Sequence, residues 1–113
     1  MARKTGPDRA TVDALFARSE GCCERCGGLG EQIHHRRARG AGGTRRDDTN
    51  MLQNLVHLCA GCHAFCESNR AWAYEHGWLV RQWADPAYQP VHMQGSWVRL
   101  SETYTLADVD WRV

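Results

Sequence analysis

The sequence predicts a small α+β domain held together by a metal ion, and three observations lead there. Four of its six cysteines form two Cys-x-x-Cys pairs, Cys23/Cys26 and Cys59/Cys62. Helical periodicity marks the segment after Asp8 and the one after Cys59, while short segments between and beyond suit strands. The length, 113 residues, is that of one domain (1–113, with a core about 10–77 and an extension 78–113). A chain this short buries roughly two-thirds of its unfolded surface, so its core is thin and a bound ion would contribute much of its folding energy.

Composition narrows the classes. With 42% hydrophobic and 24% charged residues the chain is neither a disordered tail nor a membrane protein. No apolar run approaches the roughly 18 residues that span a bilayer. MARKTGPDRATVDALFARSE holds no stretch suited to a signal peptide, so a soluble, cytoplasmic protein is expected. In a reducing compartment paired cysteines point to a metal rather than to disulfides. The net charge of +1 does not by itself suggest a nucleic-acid partner, yet Arg36, Arg37, Arg39, Arg45 and Arg46 crowd into eleven residues. Of the basic residues only Lys4 is a lysine, a bias that a GC-rich genome explains. It does not explain the clustering.

The elements are taken in chain order. Residues 1–8 read as a basic arm, and Asp8 caps a helix carrying Val12, Leu15 and Phe16, which Gly21 ends. Residues 22–28 form a tight turn, and Gln32 to His35 a short strand. RRARGAGGTRRDDTN has three glycines and no apolar period, and reads as a loop. Leu52 to Leu58 returns to the core, and 59–76 forms one helix stopped by Gly77. Trp78 to Trp83 suits a strand ended by Asp85-Pro86. Val91–Met93 and Trp97–Leu100 flank a three-residue hairpin turn, and the tail from Ser101 is acidic and unpatterned.

Two Cys-x-x-Cys turns let four sulfurs converge on one tetrahedral zinc, at about 2.3 Å each, leaving no vacancy for catalysis. A redox pair would need a βαβ context that this chain lacks. Cys22 could replace Cys23, at a less usual spacing; Cys22 and Cys66 otherwise read as small buried side chains. Beside these pairs stand the adjacent His34-His35, then Asn54-Leu55, and His63 directly after Cys62. His63, Glu67 and Arg70 recur on one helical face. Each has an ordinary surface or structural reading taken singly.

Taken together, His34-His35 with the following RRARGAGG, Asn54-Leu55, and Leu58-Cys59-Ala60-Gly61-Cys62-His63 resemble the HNH endonucleases, the ββα-metal nucleases. The resemblance covers roughly residues 10 to 90 and is closest to small zinc-knuckle members common in actinobacteria and their phages. It implies a ββα-metal, treble-clef-like core with an N-terminal helix and a C-terminal β-hairpin extension. His34 and His63 would hold the catalytic divalent ion, and His35 would be the general base. Asn54 would hold loop and base in position, with Asn50 as a rival. Glu67 stands where some relatives carry another histidine and would assist the ion.

The chemistry of those residues agrees with the resemblance. A neutral imidazole, with an unperturbed pKa of about 6.5, can take a proton from water at neutral pH. A Mg²⁺, Mn²⁺, Zn²⁺ or Ni²⁺ ion acts as a Lewis acid on a phosphodiester. Arg36, Arg37, Arg39, Arg45, Arg46 and Arg70 would grip phosphates without reading bases. The expected activity is metal-dependent nicking of DNA with low sequence specificity. The expected partners are DNA and, as for phage relatives in a bacterial cytoplasm, a terminase or another DNA-processing protein. The alternative is a non-catalytic zinc module that binds nucleic acid or protein; it would share the cysteines and arginines but needs no His34, His35, Asn54 and His63 together.

Overall fold

In a computed structural model, residues 6–38 and 47–107 are described. Helix α1 (Arg9–Ser19) begins where the Asp8 carboxylate accepts from the Thr11 N–H at 2.8 Å, as a capping aspartate should. It ends at Glu20 in the left-handed conformation, one residue before the glycine expected to stop it. The chain then passes through the first cysteine pair into β1 (Gln32–His35). A short 3₁₀ turn, Leu52–Asn54, leads into β2 (Leu55–Leu58). β1 and β2 pair antiparallel, with His34 opposite Val56 and His35 opposite Leu55.

All four β2 residues are buried, because the two-stranded sheet is covered on both faces. Val56 and Leu58 join Cys62, Cys66, Ala73 and Trp78 in the core. On the other face Phe16 of α1 stacks on His57 at 4.5 Å, and the Ser19 hydroxyl lies 2.8 Å from His57 Nδ1.

The helix expected over 59–76 is broken in two, α2 (Ala60–Ser68) and α3 (Arg70–Glu75). Asn69 leaves helical geometry (φ −127°, ψ 57°), and its side-chain amide donates to the Phe65 carbonyl at 2.9 Å. Asparagine competes for backbone groups in this way. Gly77 comes next at φ 82°, where a Cβ would sit 2.1 Å from the Pro90 carbonyl oxygen, so only glycine fits.

Three further expectations are corrected. Trp78 to Trp83 is not a strand: Trp78, Leu79 and Val80 are buried without ladder partners, and Val80 donates its N–H to the Arg36 carbonyl. All three are buried in succession, packed as an irregular segment without an exposed face. The hairpin of β3 (Val91–Met93) and β4 (Ser96–Leu100) pairs Met93 with Ser96, so its turn has two residues. Gln94 and Gly95 both have positive φ, the pattern of a type I′ turn. The segment expected to be unpatterned supplies β5 (Tyr104–Leu106), which pairs with β4. The result is an α+β architecture with one two-stranded and one three-stranded sheet.

Two buried arginines join its parts. Arg18 forms a double ion pair with Glu24 (2.9 Å each) and donates to the carbonyls of Leu52, Leu55 and Ser101. Glu24 also accepts from the His57 N–H at 2.7 Å and from the Tyr104 hydroxyl. Arg36, with no exposed surface, donates to the carbonyls of Gly77, Gln53, Pro86 and Gln89. Among the described residues no buried side-chain nitrogen or oxygen lacks a partner.

Candidate metal centre and histidine cluster

The first cysteine pair sits in the turn between α1 and β1; the second spans the start of α2, where Cys59 is the N-cap. Antiparallel pairing of β1 and β2 brings the two turns together: Glu24 N–H donates to His57 O at 2.7 Å, and Glu31 N–H to Leu58 O at 2.9 Å. The sulfurs of Cys23, Cys26, Cys59 and Cys62 consequently lie within 4.8 Å of one another. Cys26 and Cys59 are 3.8 Å apart, close to the spacing that four Zn–S bonds of about 2.3 Å impose on a tetrahedron. These four cysteines could hold a structural metal such as zinc.

The surroundings suit thiolates. Backbone N–H groups of Cys26, Cys62 and Gly28 point at the sulfurs of Cys23, Cys59 and Cys26, at 3.3–3.5 Å. Burial pushes the Cys23 thiol up, but the surrounding N–H donors outweigh it and hold it at about 7. Burial drives Cys62 up to about 12 against the pull of Arg25, whose guanidinium donates to its sulfur at 3.3 Å. Arg25 is clamped over the Phe65 ring (4.1 Å) and near Trp72 (5.0 Å). Cys66 is buried, as expected; Cys22 is exposed and stands outside the cluster, because the isolated bridge from Cys22 to Leu29 turns its neighbour Cys23 inward instead.

The adjacent histidines close β1 and take different partners. His34 is buried against α2. Its Nε2–H donates to the Trp78 carbonyl at 3.1 Å, which leaves Nδ1 unprotonated, 3.2 Å from His63 Nδ1. Burial first, then the neighbouring His63, pull His34 down to about 4 despite the Trp78 bond, so it is a neutral imidazole at physiological pH. His35, the last residue of β1, donates from Nε2 to the Asn50 Oδ1 at 2.8 Å. An amide oxygen only accepts, so that bond leaves His35 Nδ1 with a lone pair.

Asn54 is fully buried and does a different job. Its amide accepts from Arg37 N–H (2.7 Å) and donates to the carbonyls of Arg37 (3.2 Å) and Thr49 (2.8 Å). It clamps together the two ends of the segment between those residues, while Asn50, the rival, makes the direct bond to His35. Glu67 pairs with Arg70 at 2.8 Å on the exposed face of α2 and α3. Among the described residues the four cysteines alone form a group of three or more converging ligands, and Glu67 does not complete a third position beside His34 and His63.

The arginine expectation needs correction. Arg36 is a scaffold residue with every donor nitrogen spent on carbonyls, and burial lowers its pKa only to about 9, so it stays a cation. Arg37 is also buried, held by the Ala84 carbonyl and Asp48. Arg36 has no donor left for a phosphate. Arg70 is half exposed. Arg39, Arg45 and Arg46 lie outside the described residues, as do the arm 1–5 and the end of the tail. Arg18, Glu24 and Arg25 escaped the sequence reading, because a charged residue in the last turn of a helix or inside a Cys-x-x-Cys turn ordinarily faces water. Among the described residues no helix is long and apolar enough to cross a membrane. No family model, curated protein or solved structure matches the chain.

Proposed function

We propose that the chain is a metal-dependent endonuclease of the HNH type, with a ββα-metal core, which nicks DNA with low sequence specificity. The observation that carries this reading is the 3.2 Å approach of His34 Nδ1 and His63 Nδ1, with His34 held from behind by the Trp78 carbonyl. Two imidazoles so placed, the outer nitrogen of one tied to a carbonyl, are suited to bind a transition ion. When bound there, a divalent ion supplies Lewis acidity toward the scissile phosphate.

His35 supplies the base. Its Nδ1 takes a proton from the attacking water, whose oxygen bonds to phosphorus while the 3′ oxygen departs with the bonding pair and is protonated by solvent. Asn50 holds the ring in the tautomer this requires, and Asn54 holds the loop that carries Asn50. The four cysteines bind a structural zinc and fix β1 against α2, and so His34 against His63.

Plasmid nicking across several divalent ions tests the reading. The parent should nick, and His35→Ala should nick about 10²- to 10⁴-fold more slowly while keeping its zinc and its fold. His63→Ala should lose its response to added ion. A folded, zinc-loaded parent that nicks with none of Mg²⁺, Mn²⁺, Zn²⁺ or Ni²⁺ would instead be the non-catalytic zinc module.

A further inference from the structure

The C-terminal half carries a set of rings that neither the cysteine cluster nor the histidine pair uses. His76, at the end of α3, is stacked on Trp72 (4.3 Å, 19° between planes) and fixed by a 2.8 Å bond from Nδ1 to the Trp72 carbonyl. Across from it the Trp97 indole lies nearly parallel, 11° between planes and 6.3 Å between centroids. His92 forms the third corner of a triangle, tilted to both, 5.9 Å from His76 and 5.0 Å from Trp97. His76, His92 and Trp97 line a cavity of about 540 Å³, with Glu75 and Gln89 also at its wall. A second cavity of about 320 Å³ adjoins it, sharing Tyr74, Glu75 and Gln89, and is walled by Arg81 and Trp83. The Arg81 guanidinium lies 3.7 Å over the Tyr74 ring, and Trp83 is 82% exposed.

We propose that the cavity of His76, His92 and Trp97 takes an unpaired base of a single-stranded DNA segment, with Arg81 beside it on the backbone phosphate. Interleaved aromatic faces and guanidiniums are the means by which proteins hold single strands: any base stacks on an aromatic face, and the cation meets the phosphates. A wall of planar rings favours a flat ligand over a round cation such as a methylated ammonium, which needs an enclosing box. His76 Nε2, left as an acceptor by the bond from Nδ1, and the side chains of Glu75 and Gln89 offer partners for a base edge. The cavity is also tied to the histidine pair. Trp78, two residues past His76, takes the His34 bond, and Arg36 donates to Gly77 between them. This base site narrows the substrate of the proposed nuclease to DNA with an unpaired stretch, and so rests on that reading.

Fluorescence anisotropy with a labelled twelve-residue oligothymidylate, and with an abasic twelve-mer of the same backbone, tests it without added divalent ion. The parent should bind the oligothymidylate more tightly. Trp97→Ala should weaken that binding about 5- to 150-fold and leave abasic binding unchanged, while Trp97→Phe retains it. Arg81→Ala should weaken both ligands and reduce the salt slope by about 0.7. Should Trp97→Ala lose the parent's circular dichroism, His92→Ala replaces it, because the His92 bond to His76 is made by the backbone. Equal oligothymidylate binding by the parent and the folded alanine variant overturns the proposal, as does equal binding of both ligands by the parent. Plasmid nicking by the same preparations separates the two readings. A nicking parent with Trp97-independent binding removes only the base site, and Trp97-dependent binding without nicking removes only the nuclease.

Discussion

Glu24 occupies the first variable position of a Cys-x-x-Cys turn, yet its side chain is almost fully buried and accepts from Arg18, His57 and Tyr104. Removing one member of such a buried pair leaves the other charge without a counterion. Glu24→Ala should therefore cost about 3–5 kcal/mol, a large share of the roughly 5–15 kcal/mol usual for a domain, measurable by urea denaturation. Tyr104 reports on the same knot. Its partial burial, and then its bond to the Glu24 carboxylate, raise its pKa above the ordinary phenol value. The folded protein then holds that proton more tightly than the unfolded chain does, so the associated stability is complete below about pH 10 and is lost as pH rises further. Absorbance titration of phenolate should show one of the three tyrosines ionising late, and Tyr104→Phe should abolish that late step. A late step that survives in Tyr104→Phe would assign it elsewhere.

Among the elements, β1 and α2 determine the candidate site, since they carry His34 and His63. The short sheet, the cysteine cluster and Arg25, which donates to the Cys62 sulfur and lies over Phe65, hold the first knuckle to the second. Cys59 has two duties, as metal ligand and as N-cap, because its sulfur accepts from Cys62 N–H. Cys59→Ser can preserve the cap but not the thiolate shell. Elemental analysis of the parent should find one zinc per chain, and Cys59→Ser should lose it together with the cooperative thermal transition. Folded, reduced parent protein without zinc would refute the structural role. The break at Asn69 has a local consequence: it separates α2, which carries His63 and Glu67, from α3, which leads to His76 and the aromatic face.

Across the chain as a whole, Arg36 connects parts that are far apart in sequence. It fastens the end of β1 to residues 53, 77, 86 and 89 through four carbonyls. Each carbonyl left buried and unpaired costs about 1–3 kcal/mol, so Arg36→Ala should abolish cooperative thermal unfolding seen by circular dichroism. Arg70→Ala should melt like the parent and instead flatten the salt dependence of DNA binding, by about 0.9 per lost phosphate contact on duplex. If Arg36→Ala melts normally and flattens the salt slope instead, the buried assignment fails.

The legible parts of this protein were those that local chemistry decides. Asp8 sits where its carboxylate can cap α1, Val91 to Leu100 reads as a hairpin whose turn proved one residue shorter than expected, and each Cys-x-x-Cys turn brings its own two thiols together by spacing. The candidate histidines were legible for the same reason, as residue types set beside those cysteines. What the sequence left open depended on contacts between distant segments. An arginine in a basic run reads as a phosphate contact until the fold shows its nitrogens on four carbonyls. Asn50 and Asn54 are the same residue type four positions apart. Only the path of the chain assigns one to His35 and the other to the loop, because a side-chain bond depends on where the second segment arrives. The burial of Glu24, the strand at Tyr104 and the aromatic cavity around Trp97 are likewise products of that arrival.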